Sequence, residues 1–155
     1  MPPIEWTGMR QMSPSEIEEA LGGPHQAILS VSRTGRGPLA VPMSFLFSLG
    51  EFRMITSRDT DHGRLIAKTG RASMTVHHDD VTSRSVEQWY VTAEGPIEFT
   101  DENPESLLRE ILTKDRGSEF ADEWTSQSLV SVGEVAVLRP ARLAGYHGTS
   151  ILEQK

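Results

Sequence analysis

Apolar residues along the chain recur mostly with a period of two, the spacing of a half-buried strand. In Ala27 to Arg33, AILSVSR, one face carries Ala27, Leu29 and Val31 and the other Ile28, Ser30 and Ser32. The loop Thr34-Gly35-Arg36-Gly37 turns this strand back into a second, Pro38 to Leu49. Pro42 in its middle removes a ladder donor, which predicts an edge, a bulge or a backbone that faces a ligand. Phe52, Met54 and Ile55 form a third run that stops at Thr56-Ser57, and Ala72, Met74 and Val76 alternate in a fourth. Gln88 to Phe99 reads as a long fifth strand, with Gly95-Pro96 predicting a bulge or bend. Glu134 to Tyr146 reads as a sixth, while His77 to Val86 is polar and reads as a loop.

Helical signals fall between these runs. Ser13-Pro14-Ser15-Glu16 has the order of a capping box with proline at the first helical position, and Gly22-Gly23-Pro24 ends that helix after about two turns. Thr60 to Lys68 is amphipathic, with Leu65, Ile66 and Thr69 inward and Arg64 and Lys68 outward. Asn103-Pro104 opens a helix whose buried stripe is Leu107, Leu108, Ile111 and Leu112, and a second runs from Ser118 to Leu129, presenting Phe120, Trp124 and Leu129. Met1 to Met12 has neither period and predicts an arm or a strap. The expected fold is mainly β, of the α+β class: a six-stranded antiparallel barrel with helical decorations. One domain over residues 13–147 follows an arm at 1–12 and precedes a tail at 148–155. The 155-residue length suits one core.

Composition narrows the function. Asp and Glu outnumber Lys and Arg 22 to 15, for a net charge of −7, and no basic run appears. Nucleic acid and anionic membranes are therefore unexpected partners, since both need concentrated positive charge. With no cysteine, thiolate metal sites, disulfides and cysteine nucleophiles are excluded. No apolar window approaches the length of a membrane helix and no leader pattern opens the chain, which predicts a cytoplasmic protein.

The stretch that offers chemistry is Phe52 to Val76, read as strand, polar turn, helix, strand. Its junction carries Thr56, Ser57, Arg58, Thr60, His62 and Arg64, and these offer hydroxyls, backbone N–H groups and cations to a phosphate. Other signals are weaker. His77-His78-Asp79-Asp80 suggests a metal, but adjacent strand residues face opposite ways, so no metal site is expected. Glu94 and Glu98 are about 13 Å apart on one strand face, too far for paired-carboxylate chemistry. Trp89-Tyr90 could stack on a flat ring, and His147 at the last strand's end could ligate haem. No G-x-S-x-G elbow is present, and no catalytic side chain is assigned.

Four pieces together, AILSVSRTGRGPLAVPMSF, MITSRDTDHGRLIAKTGRASMTV, WYVTAEGPIEFT and VAVLRPARLAGYHG, resemble the pyridoxamine 5′-phosphate oxidase-like split β-barrel family, in its flavin/deazaflavin oxidoreductase branch. The likeness covers about His25 to Tyr146. It implies a split barrel of the FMN-binding type and a homodimer with a cofactor groove at each side of the interface. The implied cofactor is coenzyme F420, with FMN as the alternative, passing a hydride to or from a small organic substrate. Val41, Pro42, Met43 and Ser44 would face the ring, and Ile55, Thr56 and Ser57 would contact it or its side chain. Asp61, His62 and Arg64 would lie near the phosphate, and Trp89 would come from the opposite subunit. Relatives often carry Arg or Lys where His62 stands, which implies a pH-dependent phosphate contact. The alternative is a non-catalytic cofactor- or haem-binding split barrel.

Overall fold

The computed structural model describes residues 4–127 and 133–152. Leu129, at the end of the expected second helix of the pair, lies outside them. In chain order the elements are β1 (Ile4–Gln11), α1 (Pro14–Leu21), β2 (Ala27–Arg33), β3 (Arg36–Met43), β4 (Leu46–Ser48), β5 (Glu51–Thr56), α2 (Asp61–Thr69), β6 (Arg71–Val81), β7 (Ser85–Thr100), α3 (Pro104–Arg116), α4 (Ser118–Gln127), β8 (Glu134–Leu138) and β9 (Arg142–Leu152).

The strands pair antiparallel in the order β3-β2-β6-β7-β8-β5-β4, with β9 on the first part of β7 and β1 on β9. The mainly antiparallel β architecture with helices is as the sequence implies. The strand count differs: there are nine strands among the described residues, against six expected, and the sheet does not close. Each addition has a local cause. The second expected strand divides around Ser44-Phe45, where buried Phe45 turns into the core, giving β3 and β4. The last divides at Arg139-Pro140-Ala141, because Pro140 has no N–H to donate to a ladder. The arm supplies the ninth, β1, laid against β9 from Ile4↔Leu152 to Gln11↔Tyr146.

Two further differences come from pairing that a single strand's sequence does not show. His77 to Val81 and Ser85 to Gln88, polar on both faces, continue the β6–β7 hairpin to a turn closed by the Thr82 N–H on the Ser85 carbonyl at 2.8 Å. Gly95-Pro96 is not a bulge, since β6 and β7 stay in register through Arg71↔Pro96. It is instead the point where β7 changes its other neighbour from β9 to β8. A Cβ on Gly95 would lie 2.3 Å from the Arg139 carbonyl oxygen, so only glycine lets the β8–β9 connection cross there.

The main core is made by Leu29, Val31, Phe45, Phe52, Met54, Met74, Val76 and Val91, and α1 and α2 add Leu21 and Ile66 to it. A smaller core, Leu107, Ile111, Val135 and Val137, lies under α3. The helix starts are built as the sequence predicts: Ser13 and Glu16 form a reciprocal capping box, and Asn103 caps α3 ahead of Pro104.

Candidate functional site

The end of β5 delivers Thr56 to the start of α2, where Thr60 is the N-cap. Thr60 Oγ1 donates to the Ser57 carbonyl at 2.7 Å and accepts from the Gly63 N–H at 3.0 Å, so the loop is locked onto the helix's first turn. Gly63 makes that approach possible: a Cβ there would stand 1.9 Å from the Ser57 oxygen. His62 Nε2 then reaches Thr56 Oγ1 at 2.5 Å and Thr60 Oγ1 at 3.3 Å. Nε2 donates to or accepts from the Thr56 hydroxyl according to the ring's tautomer. The arrangement brings a strand end and a helix N-terminus together through His62 and two threonine hydroxyls, groups of the kind that bind an anion's oxygens.

Its electrostatics are nearly neutral. Burial holds the His62 pKa below its ordinary value of 6.5, against the opposing pull of Asp61, so the imidazole is uncharged at neutral pH. Arg64 is tied to the Asp61 carboxylate and the Asp59 carbonyl, and Asp61 itself is exposed. Ser57 Oγ accepts from the Asp59 N–H at 3.1 Å.

The other expected site residues are placed as follows. β3 is an edge strand, which satisfies the demand of Pro42: it pairs across from Ile28 on one side only and is exposed. Val41 is half-buried against the main core, Met43 is buried within it, and Ser44 accepts from Gln26 Nε2 at 3.4 Å. Ile55 points away from Thr56 and packs under α3. Trp89 is half-buried beside two imidazoles, edge-on to His25 at 4.9 Å between centroids and 6.0 Å from His78. His25 and His78 are 5.0 Å apart. Burial, then His78 and Lys114, lower the His25 pKa, with Asp115 opposing. The structure thus joins Thr56, Ser57, Asp61, His62 and Arg64 in one place, and sets Val41–Ser44 and Trp89 on other elements. His147, the possible haem ligand, has its Nε2 engaged by Glu87 at 2.7 Å. Among the described residues no three metal-ligating side chains converge.

Two features of the site were not singled out from sequence. The close packing at Gly63 had one signal, a glycine in a helix's first turn two residues after a charged one. The His25 cluster had none, because its members are brought together by β2, β6 and β7.

No family model matches the chain, and no curated protein matches it by sequence. Solved structures match it by shape. An FAD-binding protein from Mesorhizobium loti aligns with TM-score 0.64 and 17% identity over 90% of this chain and 97% of that one. A structure named F420 reductase aligns with TM-score 0.60 and 17% identity over 81% and 94%. A structure provisionally described as a pyridoxamine 5′-phosphate oxidase from Corynebacterium glutamicum aligns with TM-score 0.55 and 14% identity over 96% and 98%. At these identities the likeness is one of fold, and the fold is the one the sequence resemblance implied, that of pyridoxamine 5′-phosphate oxidase-like, flavin- and F420-associated proteins.

Proposed function

We propose that this chain is a flavin- or deazaflavin-binding oxidoreductase whose cofactor is coenzyme F420, moving a hydride between it and a small organic substrate. The observation that carries the reading is the junction of β5 and α2, where the Thr56 hydroxyl, His62 and the capped helix start come together. The set fits a phosphate taken by hydroxyls, backbone N–H groups and the helix N-terminus, with His62 able to take up a proton beside it. The names of the structures that share the fold support a cofactor of this class.

When bound, the cofactor supplies the hydride chemistry from its ring. The chain's part is to bind and orient it. Thr56, Ser57 and His62 take the phosphate, and the Asp61–Arg64 pair forms the rim. Val41 and Pro42 on the edge strand and Ser44 just after it line the ring, with Met43 in the main core beside them and Ile55 under α3. The groove is completed in a homodimer, in which Trp89 comes from the partner. The outer face of the sheet suits that contact: Ile28, Ala40, Pro42, Thr92, Ala144 and Tyr146 give it an uncharged middle.

The test is a fluorescence and absorbance titration with F420 and, separately, FMN, at pH 6 and pH 8. Saturable binding of F420 in the micromolar range or tighter is expected. Binding should weaken at pH 8, because an anion raises the lowered His62 pKa and so draws a proton most readily at the acid end. Absence of binding by either cofactor at both pH values overturns the reading.

A further inference from the structure

Alternation along β6 puts Val76 in the core and His78, two residues on, on the same side of the sheet. On β7, Val91 and Trp89 follow the same rule, and Trp89 pairs with His78. His77 and Asp79 face the other way, while Asp80 shares the side of His78. From β2, Ala27 pairs with Val76, and His25 stands two residues before Ala27. The core side of the sheet therefore continues, past the end of the core, as His25, His78 and Trp89.

Two imidazoles from distant parts of the chain meet there. The His25 and His78 ring centroids are 5.0 Å apart with their planes at 52°. Trp89 braces both, edge-on to His25 at 4.9 Å and 6.0 Å from His78. Neither imidazole has a hydrogen-bond partner among the described residues, whereas His62 is turned to two threonines and His147 to Glu87. The backbone of His25 is pinned, since the Lys114 ammonium donates to its carbonyl at 3.3 Å, and Asp115 meets that charge at 2.6 Å. Gly23 leaves room beside the ring: a Cβ there would stand 2.7 Å from His25 Nε2. Asp80, exposed and without an ion pair among the described residues, adds negative charge on the same side.

The spacing is that of two ligands on one ion. Zinc sits about 2.0–2.1 Å from an imidazole nitrogen and so about 3.2 Å from the ring centroid; two imidazoles at a tetrahedral angle then have centroids about 5 Å apart. We infer that His25 and His78 bind a divalent transition-metal ion of the zinc or nickel kind, with water in its other positions. Imidazole nitrogen suits these ions, while magnesium and calcium take oxygen ligands. A bound ion would tie the start of β2 to the β6–β7 hairpin. Neither ligand belongs to the junction of β5 and α2, so the site stands apart from the proposed phosphate contact.

Isothermal titration of the untagged full chain with Zn²⁺ and with Ni²⁺ tests it, with Mg²⁺ as the control ion and no cofactor present. One equivalent of Zn²⁺ or Ni²⁺ should bind with Kd roughly in the micromolar range, and Mg²⁺ should not. His78→Ala and His25→Phe should each weaken binding at least about tenfold, while His77→Ala, on the other side of the strand, should leave it unchanged. His25→Phe keeps a ring against Trp89, and circular dichroism checks the fold of each variant. Should His25→Phe not fold, His78→Ala decides alone, since His78 is exposed and its loss removes one ligand. In NMR spectra, Ni²⁺ should broaden the His25 and His78 imidazole signals before those of His77 and His147. If neither ion binds saturably, or if binding survives the loss of His78, the site is overturned.

Discussion

Gly63 shows how one missing methyl shapes the candidate site. A Cβ at this position would stand 1.9 Å from the Ser57 oxygen, so Gly63→Ala must push the loop off the helix. The expected cost is about 1–3 kcal/mol, read as a lower urea midpoint. His62 gives a second prediction at this scale. Burial lowers its pKa in the folded chain, so the unfolded chain takes up protons more readily. Stability is full above the unfolded value of about 6.5 and declines as pH falls through the lower folded value. His25, lowered for the same first reason, adds to the decline. His62→Asn should flatten part of it in denaturation midpoints taken from pH 5 to pH 8, and an unchanged profile would show that His62 does not contribute. Thr56, Thr60 and His62 were legible as a site because they are neighbours in the chain and lie at a strand end and a helix start. The burial of Met43 in the main core and of Ile55 under α3 was not legible in the strand pattern, since which face meets the core depends on helices that pack from elsewhere.

Among elements, the Lys114 side chain ties α3 to the connection between α1 and β2. Lys114, with its side chain 6% exposed, donates to the Gly23 carbonyl at 3.1 Å, the His25 carbonyl at 3.3 Å and the Asp115 carboxylate at 2.6 Å. Its ammonium also sits 4.4 Å from the Phe45 ring centroid. Lys114→Met keeps the aliphatic stem and strands these acceptors, so a loss of about 3 kcal/mol is expected in chemical denaturation. At the surface, Glu16 illustrates the opposite case: the Arg10 hydrogen bonds and the Ser13 N–H pull its pKa to about 2, yet the pair is open to solvent. Elements with a strong local signature, the capped helices and β2, β5 and β7, were readable from the sequence. β1, β4 and the outer half of the β6–β7 hairpin were not, because polar or interrupted strands owe their existence to partners far along the chain rather than to alternation.

At the scale of the molecule, the proposed dimer predicts a solution mass twice the 17.2 kDa of the chain by light scattering. Thr92 lies in the middle of the outer face, between Thr75 and Ala144 in register, so Thr92→Arg should yield monomers. A wild-type monomer would remove the dimeric groove. Within one chain, β7 is common property of two sheets: β6 and β9 flank its first part and β8 takes its end. No cut can separate the molecule into halves without breaking that strand's ladders. The two sheets should therefore melt together, with the β7 amides exchanging their hydrogens only through complete opening. A ligand that grips the start of α2 would then slow hydrogen exchange as far away as the β1–β9 ribbon, which it never touches.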